Sequence, residues 1–89
     1  MKVMVELSLY PLVNEYIEPI KSFIDRLNSY SDIQVETCST STQVSGDYQQ
    51  VVAILGTEMQ RTHEEVGQAI FVAKFLNFDV MEARKKAKI

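Results

Sequence analysis

With 89 residues, the chain has room for one domain, 1–89, near the smallest size that folds without a disulfide or metal staple. A hydrophobic content of 46% fits a packed core and excludes a disordered chain. A net charge of −3 and a pI near 5.0 argue against a phosphate backbone as partner, so no nucleic acid is expected. The one cysteine, Cys38, precludes an intrachain disulfide and suits a reducing cytosol. "MKVMVELSLYP" carries a lysine but is interrupted by Glu6, and no small-residue cleavage site follows, so no export signal is expected. The apolar runs are too short to span a bilayer. A cytoplasmic chain without membrane insertion is the resulting expectation.

The first element is the strand around "VELSLYPL". Val5, Leu7 and Leu9 alternate with Glu6, Ser8 and Tyr10 until Pro11 stops the pattern. "LVNEYIEPIKSFIDRLNSY" then changes period: Ile17, Ile20, Ile24 and Leu27 fall at helical spacing, with Phe23 flanking the stripe. Pro19 belongs in the first turn of this helix, where a missing N–H has no partner to lose. The polar run "NSYSD" ends it.

"DIQVETCSTSTQVSGD" returns to alternation and is too long for one strand in so small a domain, so a hairpin with its turn at "CSTS" is expected. Ile33, Val35 and Thr37 share one face and Gln34, Glu36 and Cys38 the other, while Thr42 and Val44 oppose Gln43 and Ser45. "GDYQQ" starts a second helix, with Asp47 capping the amide three residues on and Gln50 reaching back. Val51, Ile54, Leu55, Met59, Thr62 and Val66 form its buried stripe, and Gly67 closes it as a left-handed cap. Gly56, mid-helix, marks close packing. "QAIFVAKFLNF" is expected to be a buried, aromatic-rich strand, and Asp79 with Glu82 to cap a short C-terminal helix. The basic cluster "ARKKAK" suits the last turn of that helix.

This order gives an α+β, ferredoxin-like βαββαβ sandwich: a four-stranded antiparallel sheet with two helices on one face, plus the short C-terminal helix. Val3, Val5, Leu7, Leu9, Ile33 and Val35 should face the helices. The open face should carry Met4, Glu6, Ser8, Tyr10, Gln34, Glu36, Cys38, Gln43 and Ser45. Of the two possible sets from the last strand, Ile70, Val72 and Lys74 are favoured because that choice places the lysine outside. A mixed face of this kind suits partial cover by a second subunit, which would form a pocket with fixed donors and acceptors.

Catalytic and metal signals are thin. One histidine, His63, cannot build a typical zinc site. Cys38 has no histidine nearby in sequence, and "TCSTST" lacks nucleophile-elbow glycines. Gly46, Gly56 and Gly67 are too scattered for a phosphate loop. No catalytic residue, metal or cofactor is expected, and the chain is read as not an enzyme.

"VELSLYPL", "STQVSGDY" and "AIFVAKFL" together resemble the YkoF-like thiamine-binding family, in order and over nearly the whole chain from Val3 to about Phe78. Ser41, Thr42 and Gly46 match that family's Met-Ser-Thr triplet and following glycine; Thr40 stands in place of the methionine and lacks its apolar contact. The resemblance implies a non-catalytic, oligomeric binder of thiamine or its hydroxymethylpyrimidine moiety, for salvage or transport. A pyrimidine amine needs carboxylate or hydroxyl acceptors and an apolar surface, and a thiazolium favours acidic or aromatic neighbours. The expected ligand-binding residues are Glu6, Ser8, Tyr10, Glu36, Cys38, Ser41, Thr42 and Lys74, in a homodimer or homotetramer. The rival expectations are a structural or regulatory oligomeric module without a ligand, and a small enzyme with a perturbed acid or base in a cleft.

Overall fold

The computed structural model describes residues 1–78. Its elements are β1 (Lys2–Pro11), α1 (Ile17–Asn28), β2 (Ile33–Thr37), β3 (Thr42–Asp47), α2 (Tyr48–Val66) and β4 (Ala69–Leu76). The strands form one antiparallel sheet in the order β2-β3-β1-β4, so this is the ferredoxin-like α+β arrangement. The expected C-terminal helix and the basic cluster lie outside the described residues.

The register follows from the alternation. Val5 stands opposite Val44 on one side and Phe75 on the other, and Val44 opposite Val35. This row faces the helices, together with Val3, Leu7 and Ile33, and packs on Phe23, Leu27, Val51, Ile54 and Leu55. Burying these side chains supplies the main drive to fold. Gly46 lets β3 pass close beneath α2, since a Cβ there would meet the Asp32 carbonyl oxygen at 3.3 Å and Val51 Cγ2 at 3.4 Å. The β2–β3 turn falls at "CSTS", closed by the Cys38 N–H donating to the Ser41 carbonyl at 2.8 Å.

Pro19 lies in the first turn of α1, as its chemistry requires. The buried line of this helix is Phe23 and Leu27; Ile20 and Ile24 are half-buried and Ile17 is exposed. The stripe thus turns from the Ile17–Ile24 line toward Phe23, whose ring meets Phe71 of β4 at 5.1 Å. The Asp47 carboxylate accepts from the Gln50 N–H at 3.3 Å and caps α2. Gly67 ends α2 at φ +91°, ψ −129°, a positive-φ conformation outside the left-handed helical region, with its N–H donating to the His63 carbonyl.

Two expectations are corrected. First, β4 is not a buried strand: it ends the sheet, and Ile70, Val72, Ala73, Lys74 and Phe75 are exposed. Composition gave no strand order, and an apolar strand at an edge has only one neighbour to bury it. Second, Met4 points to the open face but is itself buried, standing between Ser45 and Leu76 in register.

Candidate functional site

Parity carries Glu6, Ser8 and Tyr10 away from the helices, opposite Lys74, Val72 and Ile70 of β4 respectively. Glu6 also faces Gln43 of β3, which faces Glu36 of β2. A single polar row, Glu36–Gln43–Glu6–Lys74, therefore crosses all four strands on the open face. Within it, the Glu6 carboxylate accepts from Ser41 Oγ at 3.2 Å and lies 3.5 Å from Lys74 Nζ. Glu6 is partly shielded while Lys74 stands largely in solvent, so the pair is held loosely and contributes little to stability. Beside the row, Tyr10, Ile70 and Val72 form an exposed apolar patch. An acceptor with spare lone pairs next to apolar surface can hold a flat ring that carries donors.

Of the expected site residues, Glu6, Ser41 and Lys74 meet directly. Glu36 joins them through the row, and Ser8 lies one register step away with its hydroxyl donating to the Thr40 carbonyl at 3.0 Å. Tyr10 marks the far end of the patch. Cys38 is exposed at the hairpin turn, one residue beyond the end of β2. Thr42 is not brought to this group. It lies opposite Leu7 on the helix side, 6% exposed, because neighbours along a strand point to opposite faces and Ser41 already takes the open side. Thr42 instead lines a small cleft of ≈ 180 Å³ under the hairpin, with Leu9, Ile20, Phe23, Thr37 and Thr40. This is below the volumes usual for small-molecule sites, roughly 300 Å³ upward.

Sequence reasoning missed a buried charged cluster between the helices. Glu58 of α2 is 5% exposed. Its carboxylate accepts from Arg26 Nε at 2.6 Å and from the Tyr30 hydroxyl at 2.6 Å. Arg26 also donates to Thr62 Oγ1 at 2.7 Å and Ser22 Oγ at 2.8 Å. Burial pushes the Glu58 carboxyl up, but the Tyr30 and Arg26 hydrogen bonds and the guanidinium charge outweigh it and hold the pKa below the usual range. The bond to Glu58 raises the Tyr30 phenol above its ordinary value. The signal was present: Glu58 occupies the stripe position between Ile54 and Thr62 where an apolar residue belongs. This cluster fastens the two helices and is remote from the open face.

Among the described residues, no group of three His, Cys, Asp or Glu side chains is placed to hold a metal ion, and no helix is long and apolar enough to cross a membrane.

The fold recurs in solved structures. A Streptococcus pneumoniae protein superposes with a TM-score of 0.84 at 19% identity, over 100% of both chains. A Thermotoga maritima protein, described as a candidate thiamine biosynthesis/salvage protein, gives 0.84 at 16% identity over 98% of this chain and 99% of that one. A hypothetical protein of Methanocaldococcus jannascii gives 0.80 at 20% identity over 98% and 96%. Identities this low establish a shared fold. A search of curated proteins finds no match. The YkoF-related family model matches residues 2–77, which takes in every strand and both helices, and the chain belongs to that family.

Proposed function

We propose that this protein binds thiamine or its hydroxymethylpyrimidine moiety, without chemistry, on the open sheet face, and that a second copy covers that face. The observation that carries the reading is the Glu6 carboxylate, set beside the apolar Tyr10–Ile70–Val72 patch and engaged by only two partners, Ser41 and Lys74. The family membership and the salvage description of the similar Thermotoga maritima protein support thiamine chemistry as the class. The aminopyrimidine offers donors that a carboxylate accepts, and its ring can lie on Val72 and Tyr10. Lys74 balances the Glu6 charge, so this spot suits the neutral pyrimidine better than the cationic thiazolium. A face with this apolar patch is also one that soluble chains usually cover.

Calorimetric titration of thiamine and of hydroxymethylpyrimidine tests the reading. A charge-assisted hydrogen bond contributes roughly 1.5–3 kcal/mol, so Glu6→Gln should weaken binding about ten- to a hundredfold. The hydroxyl of Thr42 lies on the other face, so Thr42→Val should leave affinity nearly unchanged. A drop confined to Thr42→Val would move the ligand to the cleft under the hairpin. No binding by the unaltered protein would favour a ligand-free structural or regulatory module.

A further inference from the structure

We infer that this protein forms a two-fold dimer by pairing β4 with β4 of a second copy, seating Phe75 of each copy in a groove between α2 and β4 of the other. This surface is separate from the open face and does not depend on a ligand.

Three features of the sheet edge converge. β4 ends the sheet, and its eight residues pair with β1 without a bulge from Ala69 to Leu76. Proteins usually blunt such edges with proline, charges, bulges or short length, and β4 has only Lys74. The opposite edge, β2, has five residues and carries exposed Gln34 and Glu36. Phe75 is the second feature. It shares the helix-facing side with Val5, yet it is 52% exposed, because the helices do not reach over this end of β4.

The third feature is Gly56. It sits in the middle of a 19-residue helix, where glycine is the poorest ordinary choice, and a Cβ added there would meet nothing within 4 Å. Nothing inside the chain explains it. It lines an open groove of ≈ 630 Å³ with Met59, His63 and Phe71, alongside the β4 edge. A missing side chain at this point leaves room for one from outside.

Register follows by elimination. In an antiparallel two-fold pair, opposed residues share a face, so the axis passes beside one residue. At Lys74 it would oppose two ammonium groups, which is unfavourable. At Phe71 or Val72, Phe75 finds no aromatic partner. At Ala73, Phe75 stands opposite Phe71 of the partner subunit, which borders the groove, and Ile70 stands opposite Leu76, with the smallest side chain on the axis. Such a pairing covers Ile70, Val72 and Phe75, which are 50%, 53% and 52% exposed, and the strand edge. The area is on the order of several hundred Å² per copy, toward the lower end of stable interfaces at about 800 Å², so micromolar dissociation is expected.

Sedimentation of the full chain from about 1 to 100 μM should show a monomer–dimer equilibrium. Phe75→Glu should weaken it at least tenfold. Gly56→Leu should act in opposite directions, raising helix stability while weakening association at least tenfold. In a Cys38→Ser background, Ala73→Cys should yield a reducible covalent dimer on mild oxidation, because directly opposed Cα atoms lie within disulfide reach. Ile70→Cys in the same background should not. Stacking through the open face cannot bring residue 73 of two copies together, since it lies on the helix side. A monomer at 100 μM, association unchanged in Phe75→Glu, or no cross-link through residue 73 would overturn the inference.

Discussion

Replacing Arg26 with alanine should be the most damaging single change on the surface between the helices. The guanidinium makes the 2.6 Å contact to Glu58 and a 2.7 Å bond to Thr62, and holds the Glu58 main-chain carbonyl at 3.3 Å. Without it, a carboxylate that is 5% exposed keeps only the Tyr30 hydroxyl. Breaking a buried pair by deleting one partner costs about 3–5 kcal/mol, against a total stability of about 5–15 kcal/mol for a domain. With a urea slope near 1 kcal/mol/M for so small a chain, the unfolding midpoint should fall by about 3 M or more, or the variant should not fold. Glu58→Gln keeps an acceptor for Tyr30 and should cost less, about 1–3 kcal/mol. Replacing both Arg26 and Glu58 by methionine removes the two charges together and should restore stability to near the unaltered level. Urea titration followed by circular dichroism ranks the three. A loss below 1 kcal/mol in Arg26→Ala would refute the reasoning, because the carboxylate would then not depend on its partner.

The depressed Glu58 pKa makes a signed statement about acid. Its stabilisation is complete above the ordinary value of 4.5 and is lost as pH falls through the lower folded value, so Glu58→Gln should flatten the acid limb of stability against pH. Tyr30 works in the other direction: its contribution is complete below 10.0 and lost as pH rises through the raised folded value, and Tyr30→Phe should remove that alkaline dependence in equilibrium unfolding. Asp47→Ala removes the cap on the Gln50 N–H and should cost about 1 kcal/mol in the same assay. Gly67→Ala should destabilise by about 1 kcal/mol or more although a Cβ meets no atom there, because φ +91° is strained for any side chain; a neutral result in thermal unfolding would contradict that.

Local chemistry was legible where it depended on neighbours in sequence. Alternation assigned Glu6, Ser8 and Tyr10 to the open face, the charge of Lys74 chose the correct parity for the last strand, and Asp47 announced the start of α2. What sequence could not supply was anything decided by elements far apart. β4 is apolar enough for a central strand, and only the strand order places it at an edge. Glu58 is charged and was passed over because its partners lie 28 and 32 residues away. Ser41 and Thr42 entered as one motif, yet a single step along a strand separates the open face from the helix side.

β1 outruns β3. Their pairing ends at Leu7 opposite Thr42, whereas β1 continues beside β4 as far as Pro11 opposite Ala69. Mechanically the sheet is therefore stepped, and the Cys38–Ser41 turn overhangs the step. Beyond its own closing bond, the turn is tied to β1 by Ser8 Oγ on the Thr40 carbonyl and by Ser41 Oγ on Glu6. Opening of the hairpin tip needs only these two side-chain bonds to break, while the Val5–Val44 row stays shut. Hydrogen exchange should reach the amide of Cys38 well before those of β1, as a local fluctuation independent of global unfolding. A ligand that engages Glu6 would compete with Ser41 for the same carboxylate, which ties occupancy of the face to the freedom of the turn.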